Sequence, residues 1–299
     1  MELEVLRGGE SIKLKAEEVY NRLDKEFDIA NINEDEWSSL DLADYMTDSF
    51  KQTRMGLVLD NAPEIKKVYT AVFPSELVLD RILSSREKGI LLFTHHPMIW
   101  DTNTGGFPFR NIPARFLEEF KQQGVSHYAI HVPLDRNGPY STTTSFAKAL
   151  NIEFESEFFE YHGVQVGVIG KTNCKSVSEM SERVRKAVGH QVKLWSYADT
   201  QLSNQKVAVV AGGGNYPEAA EELAETDVRT YITGVTRKVS DYEPSLRFHE
   251  ICEEHGINVI AATHYSTEKF ACISMLEYFK SLGIPSEFLT DEPSFNDYE

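Results

Sequence analysis

The run Ile90-Leu91-Leu92-Phe93 is apolar at every position, begins after Gly89 and is followed closely by Pro97. It is too short for a helix. As a strand it has no polar side to turn to water, so it must lie in a sheet covered on both faces. That requirement selects an α/β fold, in which helices supply the cover. Similar runs recur in alternation with helical patterns. Strands are expected at Met55–Leu59, Lys67–Val72 and Tyr128–Val132. Helices are expected at Lys15–Asp24, Ser75–Lys88 and Pro113–Gln123, the last with proline at its start and Gly124 just past its end. From Asn33 to Asp48 the chain is acidic and polar, with no strand signal.

Beyond Leu150 the alternation restarts. Strands are expected at Val164–Ile169, Val192–Trp195, Val207–Ala211, Thr230–Thr233 and Asn258–Ala262. Helices are expected at Ser176–Val188, where Ser176 and Glu179 have capping-box spacing, and at Tyr216–Glu225, Pro244–His255 and Ser266–Leu282. The expected architecture is a two-lobed α/β subunit with a mostly parallel sheet and a metal site at strand C-terminal ends between the lobes. Residues 1–150 form the first lobe, residues 151–263 the second, and residues 264–299 pack back on the first. The acidic tail from Glu287 carries Pro293, and its order stays open.

Charge narrows the function classes. Thirty basic residues against 47 acidic ones leave a net charge of −17, which argues against general binding of nucleic acid or an anionic membrane surface. Cys174, Cys252 and Cys272 are widely spaced and form no C-x-x-C pair, so neither a disulfide framework nor a thiolate zinc site is expected. No apolar run approaches the roughly 18 residues of a membrane span, and the first residues lack the pattern of a signal peptide. The expectation is a cytoplasmic protein with inert, reduced thiols.

The chemistry-bearing residues stand where strands stop. His95 and His96 follow the Ile90–Phe93 run, and Pro97 ends the strand there, so the two rings need not point to opposite faces. His131 lies near the end of the next strand, with Asp135 just beyond it. His264 lies just past the strand ending at Ala262, and Glu268 follows one helical turn later. Each has a plain reading: a core or surface histidine, a turn aspartate, a carboxylate complementing a helix dipole. Together, on parallel strands, they meet at the sheet edge where ligands gather. A His/Asp/Glu set without cysteine suits Zn, Mn, Fe, Co or Ni. His95, His96, Asp135, His264 and Glu268 outnumber the three protein ligands typical of one catalytic zinc, and match two ions sharing carboxylates around a bridging hydroxide.

Thr94-His95-His96-Pro97, His131-Val132-Pro133-Leu134-Asp135, Thr233-Gly234 and His264-Tyr265-Ser266-Thr267-Glu268 occur in the order found in the NIF-three-like family. Its members are also called dinuclear-metal-centre hexameric proteins, or type 2 homologues of GTP cyclohydrolase I. The chain resembles that family from about Met55 to Gly283. The resemblance implies a homohexamer with two divalent metal ions per subunit. By position, His95, His96, Asp135, His264 and Glu268 look like the ligands, and His131 like a further site histidine. Two departures stand out: Val72-Phe73-Pro74 replaces a stretch that often holds aspartate, and a Trp-Asp approach is missing before Gly56.

The function expected is that of a metal-dependent hydrolase acting through a metal-bridging hydroxide. The family name implies a purine nucleotide substrate, and His131 or Tyr265 would assist proton transfer or hold it. The alternative is a non-catalytic metal-binding regulatory, storage or chaperone-like protein. Gly212-Gly213-Gly214 reads as a tight strand–helix turn before it reads as a phosphate cradle, and Ser141–Thr144 as the cap of a helix starting near Ser145. Trp100, Phe107 and Phe109, with Gly105-Gly106 among them, form a lip over the site or pack on a neighbour. His127, His162, His190, His249 and His255 are expected at the surface.

Overall fold

In the computed structural model, which describes residues 14–299 apart from 33, 35, 104–106 and 241, the strand Ile90–Thr94 is the centre of a five-stranded sheet. Lys67–Ala71 and Val125–Ala129 flank it in parallel. Ser286–Phe288 adds a parallel strand at one edge, and Gly56–Leu59 closes the other edge antiparallel. Both faces are covered, as the apolar run demands. Ile90 and Leu92 share a buried cluster with Val78 and Ile82 of helix Glu76–Ser85 and Phe116 and Phe120 of helix Ala114–Gln123. Leu91 and Phe93 share another with Val19 and Leu23 of helix Ala16–Glu26 and Met275 and Phe279 of helix His264–Ser281. Each such side chain contributes about 1.5–3 kcal/mol by leaving water.

A second sheet of six strands runs in the order Lys193–Trp195, Asn258–Ala261, Thr230–Thr233, Lys206–Val209, Val164–Lys171, Glu153–Tyr161. Only its three consecutive strands Asn258–Ala261, Thr230–Thr233 and Lys206–Val209 pair in parallel, and the remaining pairings are antiparallel. Among the described residues both large sheets are therefore mixed: the first is mostly parallel, as expected, and the second is mostly antiparallel. Helix Val177–Val188 covers one face of the second sheet, and helices Pro217–Ala224 and Glu243–Glu254 the other. Helix His264–Ser281 packs on the first sheet, where the Thr70 hydroxyl donates to the Cys272 carbonyl at 2.8 Å.

Several local expectations are corrected. The strand following Ile90–Thr94 in the first sheet is Val125–Ala129, not Tyr128–Val132. The chain leaves the ladder after Ala129, and Val132–Asp135 is one helical turn with Pro133 near its start. Glu153–Tyr161 escaped notice because an edge strand with five consecutive exposed residues needs no apolar alternation there. The acidic, polar stretch holds short 3₁₀ turns at Glu36–Ser39 and Ala43–Tyr45, and helix Asp48–Thr53, capped by Thr47, starts at its end. The hydroxyl run caps its helix through Ser141, so that helix begins at Thr142. At Ser176 the hydroxyl accepts from Glu179 N–H, but the Glu179 carboxylate accepts from Lys175 N–H instead of closing the box. His127 and His249 are buried, while His162 and His255 are exposed. No helix among the described residues is long and apolar enough to cross a membrane.

Candidate metal centre

Three chain turns bring the site together. The first sheet's central strand ends at Thr94, and His95 and His96 follow as its extension, their N–H groups still donating to the Ala71 and Val72 carbonyls. The single turn Val132–Asp135 carries Asp135 under His131. Thr263 and Ser266 cap each other at the start of helix His264–Ser281, which stacks His264 and Glu268 one turn apart on the same face. Glu268 is the hub. Its Oε1 lies 3.0 Å from His264 Nε2 and 3.5 Å from His95 Nε2, and its Oε2 lies 3.0 Å from His96 Nε2. Asp135 Oδ1 lies 3.3 Å from His95 Nε2, and Asp135 Oδ2 lies 3.6 Å from His131 Nε2.

The donor set fits a cation. His95 Nε2 is buried with no hydrogen bond although two carboxylates face it, and His96 Nδ1 and His264 Nδ1 are likewise unpartnered. A buried polar atom left this way costs about 1–3 kcal/mol unless something completes it. Two groups drawn from these residues, His96/His264/Glu268 and His95/Asp135/Glu268, each place their ligand atoms within 4.8 Å of one another. The electrostatics agree. Burial disfavours a charged His95, but Asp135 and Glu268 outweigh it and hold its pKa well above the usual imidazole value. Burial dominates at His96 and holds its pKa well below. Burial opposes ionisation of Glu268, yet the surrounding imidazoles keep it well below the carboxylate range. The centre therefore keeps an anionic hub among buried rings.

Around this cluster lies a layer that the sequence reading missed. Glu34, buried, bonds His131 Nδ1, and Glu36 Oε2 lies 3.6 Å from the same nitrogen. The Tyr161 hydroxyl donates to Glu36 at 2.8 Å. Burial lowers the His131 pKa, but Glu34, Glu36 and Asp135 lift it to about 9. Trp37 stands edge-on to both His131 and His96, with ring centroids 5.0 and 5.6 Å away. Near the C-terminus, Asp297 accepts from His264 N–H at 2.8 Å and from Trp100 Nε1 at 2.9 Å. Further supports fix the candidate ligands: His95 Nδ1 bonds the Ile130 carbonyl at 2.9 Å, and the Thr142 hydroxyl donates to Asp135 at 2.7 Å. The available signals were the acidic spacing Glu34-x-Glu36-Trp37 and one of two aspartates in an acidic tail, and neither carries a periodicity.

A cavity of about 760 Å³ opens on the cluster and is lined by Trp100, Phe107, Phe109, Tyr161 and Tyr216 among others. Phe73, in the stretch where aspartate was anticipated, stacks on His96 at 4.7 Å. Gly105-Gly106 lies outside the described residues. The glycine turn has a steric explanation: Gly212 has φ +73°, and a Cβ there would sit 2.0 Å from Glu268 Oε1. Tyr265 is not brought to the cavity lining. Its hydroxyl accepts from Asp291 N–H at 2.9 Å, and its ring packs with Val72, Phe73 and Cys272.

The chain resembles several known proteins. A protein of Pyrococcus horikoshii named GTP cyclohydrolase 1 type 2 homolog is 29% identical over 248 residues, covering 81% of this chain and 91% of its own. One of the same name from Archaeoglobus fulgidus is 30% identical over 238 residues, covering 78% and 87%. The solved structure of protein ybgI, of unknown function, superposes with a TM-score of 0.72 over 94% of this chain and 100% of its own. Its 19% identity makes that a likeness of fold. The model of the Duf34/NIF3 (NGG1p interacting factor 3) family matches residues 44–290, and the chain belongs to that family.

Proposed function

We propose that His95, His96, Asp135, His264 and Glu268 hold two divalent cations, and that the protein is a metal-dependent hydrolase acting on a purine nucleotide. The observation that carries this reading is Glu268, whose two oxygens face different imidazoles as a carboxylate shared between two ions would. Such a pair of ions supplies water activated near neutral pH and positive charge for a developing oxyanion. The chain's own residues do the rest. Glu34 holds His131 by Nδ1, leaving Nε2 toward Asp135 to hold or pass a proton. The aromatic walls bind a flat ring and exclude water. Tyr265 anchors the C-terminal segment through Asp291. The relatives' name, GTP cyclohydrolase 1 type 2 homolog, supports the substrate class.

The proposal extends to a cytoplasmic homohexamer, in which residues 1–150 with 264–299 form one lobe and residues 151–263 the other. Elemental analysis of purified protein tests the centre: two equivalents are expected in the wild type, with loss in His95→Ala and His264→Ala. Undiminished metal in both variants sinks it. Ring opening of a guanine nucleotide, assayed with GTP, GDP and GMP on loaded protein and abolished in His264→Ala, tests the activity. Metal retained without turnover of any nucleotide favours the regulatory or storage reading, and sedimentation analysis measures the assembly.

A further inference from the structure

We infer that the nucleotide this cavity takes carries a single phosphate group, held by Arg237, and is not a triphosphate. The inference rests on the purine-nucleotide reading above and narrows it by charge. Glu36, Asp135, Glu268 and Asp297 place four carboxylates on the cavity wall. Against them, Arg237 is the one arginine among the described lining residues, with no lysine beside it, and no ion pair to a described residue engages it.

Its backbone is pinned. The Arg237 N–H donates to the Asp297 carbonyl at 2.9 Å and the Thr236 N–H to the same oxygen at 2.8 Å, so the C-terminal segment fixes the root of the guanidinium's stem. A guanidinium held at its root on an aromatic-walled cavity suits a phosphate with a stacked base attached. Two divalent ions would offset the four carboxylates and leave the guanidinium free to pair with the oxygens of one phosphate group. Each further phosphate group adds negative charge beside carboxylates, with no second arginine or lysine on the described wall to meet it. A triphosphate drawn to the ions would instead compete with Asp135 and Glu268 for them.

Calorimetric titration of the metal-loaded full chain with guanosine, GMP and GTP reads this directly, since the three share one ring and differ in phosphate count. GMP should bind at least about tenfold more tightly than guanosine or GTP. Arg237→Gln should lower GMP affinity by about ten- to a hundredfold, to the level of guanosine, and leave guanosine unchanged. Arg237→Lys keeps the charge and should retain part of the preference. GTP binding tightest overturns the inference, and so does an equal loss for all three ligands in Arg237→Gln. Absence of binding by all three with metal content intact also overturns it, while leaving the metal centre standing. A wild-type protein that takes up no metal brings down the underlying reading instead.

Discussion

The inner cluster and the layer around it are built differently. His95, His96, Asp135, His264 and Glu268 stand at the ends or starts of regular elements, and all lie within the family match over residues 44–290. Glu34, Glu36, Trp37 and Asp297 come from coil or short 3₁₀ turns, and all lie outside that match. Ligand positions tied to a sheet edge inherit the sheet's rigidity. The outer layer instead orients rings and shapes the cavity, through contacts made across long stretches of chain, such as His131 with Glu34 and Trp100 with Asp297. In the proposed division of labour the core would hold the cations, while the flanks orient the rings and shape the space beside them.

Glu268→Gln should break the inner region most severely. It removes the charge that three imidazoles surround, and metal affinity should fall by more than about a hundredfold in competition with a chromophoric chelator. Glu34→Gln probes the outer layer at similar shape. Removing a carboxylate behind a site imidazole costs about ten- to a hundredfold in affinity or activity where the ring matters, and an unchanged value would confine Glu34 to packing.

Asp297→Ala leaves the buried His264 N–H and the Trp100 indole N–H without their acceptor. It should lower stability by about 1–3 kcal/mol in urea denaturation, with a smaller loss of metal than Glu268→Gln.

His127 sharpens the contrast by pH. It is as buried as His95 but bonds only the Thr94 hydroxyl, and burial pushes its pKa down to about 3. His95, between two carboxylates, moves the opposite way. Below the unfolded-chain value of about 6.5 the unfolded state takes up a proton at His127 that the fold refuses. This contribution to stability is therefore complete above about pH 6.5 and is lost as pH falls, at up to about 1.4 kcal/mol per unit. A His127→Gln variant should show a shallower acid limb in denaturation midpoints between pH 6.5 and 4, and an identical limb would refute the assignment.

Much of the inner region was legible because its signals are local. An all-apolar run ended by His-His-Pro states both its burial and its end, and a His264/Glu268 pair four apart states a shared helix face. His131 was placed at a strand end but belongs past it, at φ −96° and ψ −96°, because a proline two residues on redirects the chain. His127 and His249 were assigned to the surface because one imidazole in isolation carries no burial signal. The strand Glu153–Tyr161, largely exposed at its sheet edge, carries little apolar pattern of its own.

What the amino-acid order determined alone is the α/β class, the family and the set of chemically competent side chains, since each follows from residue type and short-range spacing. Tertiary structure decided which of those side chains meet. Glu34 is brought to His131, Asp297 to His264, and Gly212 against the Glu268 carboxylate, by the packing of two sheets and their covering helices. No local propensity encodes these meetings, because each is stabilised by contacts between segments that have no periodicity in common.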